Sequence, residues 1–227
     1  MALSGDSLMQ RIRIRYKKGE ALQYTGNLDL HKVWERTFRR AQLPLAYSQG
    51  FHPQPRMHQA CPLPLGFTSN CEILDFWCDS EDSLEKIRAM LEKTVQPGIE
   101  ILTLSSIPLK NPVLQTVIEA SDYLVSLDEN TDIQDIDIKI QNLLSSECLV
   151  RERRGKPYNL RPLIKFLKLF DSNPPSIEMR LSALPGATGR PEEVLEVLGI
   201  PPNTVDIKRT ALLFSSIDSE LLNQPKV

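Results

Sequence analysis

Along this chain the strand and helix signals run through one order and then repeat it, and nothing else in the sequence narrows the fold as much. Residues 10–18, QRIRIRYKK, alternate strictly, with Ile12, Ile14 and Tyr16 on one face and Arg11, Arg13, Arg15 and Lys17 on the other. This is a strand with one basic face. Leu30, Val33, Trp34, Phe38 and Ala41 then recur at helical spacing from an expected Asn27 cap, and Leu43-Pro44 ends the run. CEILDFWCD (71–79) predicts a buried strand, SLEKIRAMLEKT (83–94) a helix and IEILTLSSI (99–107) a strand. With a further strand near the end of the proline-rich stretch between them, the first half runs β-α-β-β-α-β.

The second half keeps this order with almost no sequence similarity. SDYLVSLDE (121–129) predicts a strand, IQDIDIKIQNLLSS (133–146) a helix and ECLVRERR (147–154) a strand. SIEMRLSAL (176–184) predicts a strand, RPEEVLEVLG (190–199) a helix opened by Pro191 and closed by Gly199, and VDIKRTALLFSS (205–216) the last strand. The predicted fold class is therefore α+β, as two tandem ferredoxin-like (βαββαβ) units with antiparallel sheets. The break falls in IPLKNPVLQT (107–116), giving domains over 1–110 and 117–227.

The formal net charge of −2 hides a segregation of charge. Residues 1–60 carry 10 Lys and Arg against 4 Asp and Glu, residues 61–150 carry 5 against 16, and residues 151–227 carry 12 against 9. On the first helix Lys32, Arg36, Arg39 and Arg40 line the polar side. If the fold joined that side to the basic strand face, a polyanion-binding surface would result. The four cysteines, at irregular spacing, are expected to be reduced thiols. The N-terminus lacks an apolar run of signal-peptide length and no stretch would span a bilayer, so a cytoplasmic protein without membrane contact is expected.

YSQGFHPQPRMHQACPLPLG, residues 47–66, is the chemically densest stretch. Its prolines fix φ and bias their predecessors toward extended backbone, so it should lie stiff across the surface. Tyr47, Phe51 and His52 are flat rings beside Gln49 and Arg56, a mixture suited to stacking on unpaired bases and holding a phosphate. The alternative is a brace that packs Tyr47 and Phe51 against the first helix. His52 is a candidate general acid or base for RNA cleavage, with His31 and His58 nearby in sequence. His52, His58 and Cys61 match no familiar metal-ligand spacing. A second basic segment, RERRGKPYNLRPLI, offers Arg151, Arg153 and Arg161 either as a phosphate clamp or as internal ion-pair partners.

The run YTGNLDLHKVWERTFRRAQLPLAYSQGFHPQPRMHQACPLPLGFTSNCEILD, with LRPLI and GRPEEVLEVLGI…IKRTALLF, resembles the radical-SAM-linked protein family, a prokaryotic domain without an assigned activity. The resemblance covers essentially the whole chain. It implies a working partner, because family members occur beside or fused behind cobalamin-binding radical SAM proteins. The chain departs from the family's usual Ser/Gly-His-Leu-Asp with Gly26-Asn27-Leu28-Asp29, so Asn27 stands where that pattern has a histidine. The radical SAM enzyme's own three-cysteine motif is absent, so the chain is expected to be its partner. Tandem ferredoxin-like units with a basic first helix also resemble CRISPR-associated RAMP proteins at the level of fold.

Together these readings predict a non-catalytic RNA-binding accessory that presents substrate to a radical SAM protein. It is expected to need no cofactor and no metal of its own, and DNA is not an expected partner. The alternatives are a metal-independent RNA-processing enzyme using His52, and a module that binds only protein.

Overall fold

Alternation in the first strand is answered directly by its packing. In the computed structural model, which describes residues 9–215, β1 (Met9–Lys18) buries Ile12, Ile14 and Tyr16 in one cluster with Trp34 and Phe38 of α1 (Asn27–Arg40). The Tyr16 and Trp34 rings meet edge to face at 4.9 Å, a geometry that adds to simple area burial. The helix begins at Asn27 as a helical residue, so the expected Asn27 cap is displaced by one position: the cap is Gly26, which contributes no side-chain bond.

The chain divides into two compact units, Met1–Gln115 and Thr116–Val227. In the first, α1 is followed by β2 (Met57–Gln59), β3 (Phe67–Asp79), α2 (Leu84–Glu92) and β4 (Ile99–Ile107). Ser83 caps α2 by accepting from the Lys86 amide, as a serine before an amphipathic run should. β1 pairs with β3 and β4, and β2 pairs with β3, all antiparallel. The strand order is β4-β1-β3-β2.

The second unit opens with a short helix α3 (Leu114–Val117), which begins just before the division, and β5 (Ile118–Ser126). Next come α4 (Ile133–Ser145), capped by Asp132, and a two-stranded hairpin of β6 (Val150–Arg153) and β7 (Lys156–Asn159). β8 (Ile164–Phe170), β9 (Ser176–Leu184), β10 (Ala187–Thr188), α5 (Pro191–Leu198) and β11 (Asp206–Phe214) complete it. β5 pairs with β9 and β11, and β8 with β9, again antiparallel, giving the order β11-β5-β9-β8. Gly199 ends α5 in the left-handed region at φ 75°, where a side chain would be strained. Val125, Ile140, Met179, Leu195 and Ile207 are buried in this unit.

One predicted strand is corrected. ECLVRERR contributes only Val150–Arg153, and those residues pair with β7 as a separate hairpin. The sheet strand after α4 is IKFLKLF, whose charged and half-exposed positions disguise it. The last residue of the predicted closing strand, Ser216, lies outside the described residues. Among the described residues no helix is long and apolar enough to cross a membrane.

Candidate functional site

The backbone of the proline-rich stretch is tied to the far end of β3. The Ala46 amide donates to the Trp77 carbonyl at 2.9 Å, the Trp77 amide to Arg56 at 3.0 Å, and the Asp79 amide to Pro44 at 2.8 Å. Residues 46–48 then run back against 54–56, through Arg56 N to Ala46 O, Ser48 N to Gln54 O and Gln54 N to Ser48 Oγ, with Tyr47 opposite Pro55. Between these arms Gln49, Gly50, Phe51, His52 and Pro53 form an exposed tip. Gly50 sits at φ 135°, a conformation that L side chains rarely adopt, and permits the reversal.

The tip carries free rings. Phe51 is fully exposed, so it does not pack against α1 as a brace would require, while Tyr47 is 44% exposed and partly covered. Among the described residues Gln49, Phe51 and His52 make no side-chain hydrogen bond, ion pair or ring contact. Pro53, Pro55 and the hydrogen bonds of the two arms restrict the backbone that carries the tip, which lowers the ordering entropy lost when a ligand arrives.

Behind the tip, on the face of the sheet opposite α1, lies a charged cluster absent from the sequence reading. Asp75 accepts from Arg11 through Nε at 3.0 Å and Nη2 at 2.7 Å, and from Arg13 through Nε at 2.7 Å and Nη2 at 2.9 Å. All three are buried. Arg11 also donates to the carbonyls of Asn111 at 2.5 Å and Pro112 at 2.7 Å. The Arg11 guanidinium stands 5.0 Å from the Trp77 ring centroid and that of Arg56 4.9 Å, while His58 meets the same ring edge-on at 5.1 Å. Burial holds the His58 pKa below the ordinary histidine value, with the charge of Arg11 as a second cause. An aspartate inside the apolar run CEILDFWCD was the available signal, because a buried carboxylate must find cations or donors.

The anticipated basic surface is therefore corrected. Ile12, Ile14 and Tyr16 face α1, so Arg11, Arg13 and Arg15 face the other way and do not join Lys32, Arg36 and Arg40. Arg13 is 5% exposed and bound to Asp75, whereas Arg15 is exposed without a side-chain partner among the described residues. Lys32 lies 3.6 Å from Asp29 and Arg40 donates to the Thr94 carbonyl, which leaves Arg36 as the unengaged arginine of the three helix positions.

The second basic segment is spent inside its own unit. Arg153 donates to both carboxylate oxygens of Glu193, at 3.0 and 2.5 Å, and to the Thr188 carbonyl; Arg151 pairs with Glu196. These contacts hold the β6–β7 hairpin on α5. Arg161 donates to Leu144 O at the end of α4 and to Ile164 O, satisfying carbonyls that a helix terminus leaves open. Of the two uses open to Arg151, Arg153 and Arg161, internal pairing is the one the fold adopts. Among the described residues no three His, Cys, Asp or Glu side chains converge as a metal site requires.

The chain is an α+β protein with exposed rings on a proline-rich loop and the half-buried Arg56 at the base of that loop. The chain belongs to a family described as "Uncharacterized protein conserved in bacteria" (DUF2344), whose model matches residues 11–191. No curated protein matches it. Among solved structures it is similar to a chain of a Cbf5-Nop10-Gar1 complex, with TM-score 0.43, 7% identity, and 89% of this chain aligned to 48% of that one. It thus spans about half the length of that relative. It is also similar to an unknown protein from Galdieria sulphuraria (TM-score 0.27, 12% identity, 91% and 98% of the chains) and to the acetolactate synthase small subunit from Thermotoga maritima (0.24, 14%, 91% and 95%).

Proposed function

We propose that this protein is a non-catalytic accessory that binds single-stranded RNA through its tip and presents it to a radical SAM partner. The observation that carries the reading is the full exposure of Phe51 on a loop whose backbone is hydrogen-bonded in place. Phe51 and Tyr47 offer stacking faces, Gln49 and His52 offer groups for base edges, and Arg56 offers a charge for the backbone. Stacking tolerates any base, so the expected recognition is of unpaired RNA with modest sequence preference.

His52 has no hydrogen-bond partner to orient its ring, which favours binding over acid–base chemistry. The radical SAM partner rests on the family resemblance of the sequence. We also read the two units, 1–110 and 117–227, as tandem ferredoxin-like domains, supported by the same antiparallel order in each. A cytoplasmic location accords with this reading.

The deciding experiment measures binding of a labelled single-stranded RNA by anisotropy and follows its integrity on a gel. Binding with intact RNA, weakened by salt and by Phe51→Ala, is expected. Cleavage abolished by His52→Ala would transfer the assignment to the processing enzyme, and absence of RNA affinity alongside tight capture of the radical SAM protein would transfer it to a protein-interaction module.

A further inference from the structure

The geometry points to a phosphate oxyanion subsite formed by Arg56 and His58 on the Trp77 ring, at the base of the tip. It deepens the RNA reading above by assigning where a backbone phosphate sits, and it rests on that reading for the identity of the ligand.

Charge is the first argument. Arg11, Arg13 and Arg56 cluster around Asp75 and Trp77, and Asp75 is the one carboxylate that pairs with any of them among the described residues. Arg11 and Arg13 already share it. Asp79, the next carboxylate on the same face of β3, is exposed and makes no ion pair with Arg56. Among the described residues the Arg56 guanidinium meets the indole face and, through Nη1, the weak acceptor Met9 Sδ at 3.4 Å, and no carboxylate or carbonyl. A half-buried arginine without a carboxylate or carbonyl on its donor edges is poorly satisfied, and two adjacent guanidinium N–H groups match the spacing of phosphate oxygens.

His58 supplies the second argument. Its Nδ1 is sealed from solvent and meets no hydrogen-bond partner, which leaves Nε2 as the nitrogen able to face a ligand. Burial, then the charge of Arg11, lowers the His58 pKa against the opposing pull of Asp75, which favours the neutral ring, and in that ring Nε2–H is the donor that Nδ1 cannot be. Arg56 stands 4.9 Å and His58 5.1 Å from the centroid of the one Trp77 ring, so both lie beside the same indole. The tip begins three residues after Ala46, which is hydrogen-bonded to both Arg56 and Trp77. A base stacked on the tip rings therefore has its phosphate near this pair.

The test uses the full chain and two probes, inorganic phosphate and a short poly(U) strand. Phosphate is expected to shift the ring resonances of His58 saturably in the wild type, to do so weakly in Arg56→Lys, and not in Arg56→Gln. With poly(U), Arg56→Gln should lower affinity about 10-fold or more, the worth of a charged hydrogen bond, and reduce the salt slope by about 0.7. Phe51→Ala should lower affinity with the slope unchanged. If poly(U) binds the wild type but phosphate leaves His58 unmoved, and neither Arg56 variant alters the slope, the subsite is overturned while the RNA reading stands. If phosphate shifts His58 and poly(U) does not bind, the subsite stands for a free phosphate ester and the RNA reading falls.

Discussion

Asp75 grips Arg13 with both carboxylate oxygens, Nε to Oδ1 at 2.7 Å and Nη2 to Oδ2 at 2.9 Å, while the same Oδ2 receives Arg11 at 2.7 Å. One carboxylate thus neutralises part of two buried guanidinium groups in the middle of the first sheet. Removing it leaves both without a counter-charge in a place that water does not reach. Asp75→Ala is expected to cost about 3–5 kcal/mol of folding free energy, the penalty for breaking a buried pair from one side. Urea denaturation followed by circular dichroism measures it, and a loss below about 1 kcal/mol would mean that the arginines find other acceptors.

That relationship also marks where the sequence stopped being legible. Alternation in QRIRIRYKK placed Ile12, Ile14 and Tyr16 on one face correctly, because a period of two is a property of the strand itself. Whether the arginine face meets water is a property of what lies over it, and here it is buried with Asp75. Likewise the helices α2 and α5 announce themselves by caps and spacing, but β8 does not. Lys165, Phe166 and Lys168 are exposed along it, so its pattern is half polar, whereas ECLVRERR looked more like a strand than its short hairpin role warrants. The tip was legible in composition, and only coordinates distinguish a ring that stacks on α1 from one that faces solvent.

Cys78 should behave as an inert thiol. Burial, assisted by the charges of Asp79 and Asp82, pushes its pKa up from 9.0 to about 11. The folded state then holds a proton that the unfolded chain releases, so this group's contribution is constant below about pH 9 and stability falls as pH rises from there to about 11. Cys78→Ala should flatten that part of the alkaline limb of a melting-temperature profile. At pH 8 an alkylating reagent should label exposed Cys148 and spare Cys78 until the protein is unfolded, as peptide mass mapping would record.

Arg161 is a structural cap, and its loss should be felt in stability alone. Three of its hydrogen bonds reach main-chain carbonyls, two at Leu144 and one at Ile164. Hydrogen bonds to charged groups are worth about 1.5–3 kcal/mol in total where an acceptor would otherwise go unsatisfied, and Arg161→Ala is expected to cost that much. Hydrogen exchange should quicken at the end of α4 first. RNA affinity should stay within twofold of wild type, about 0.4 kcal/mol, and a larger drop would return this arginine to the binding surface.

Phe51 separates a stacking platform from scaffolding more sharply than any other position. Its side chain is fully exposed, so truncation removes no buried area and creates no cavity, and the melting temperature of Phe51→Ala should match wild type within about a degree. Base stacking on an aromatic ring is worth about 1–3 kcal/mol, so affinity for single-stranded RNA should fall roughly 5- to 150-fold. Phe51→Tyr keeps the π face and should restore most of it; Phe51→Leu keeps apolar area without the face and should not. Tyr47→Ala is the contrasting case, since its ring is partly covered and its backbone lies in the tie to Pro55. It should lose affinity together with some stability. If Phe51→Leu binds RNA as tightly as wild type, the π face of Phe51 does not stack on a base, and its assignment as a platform fails.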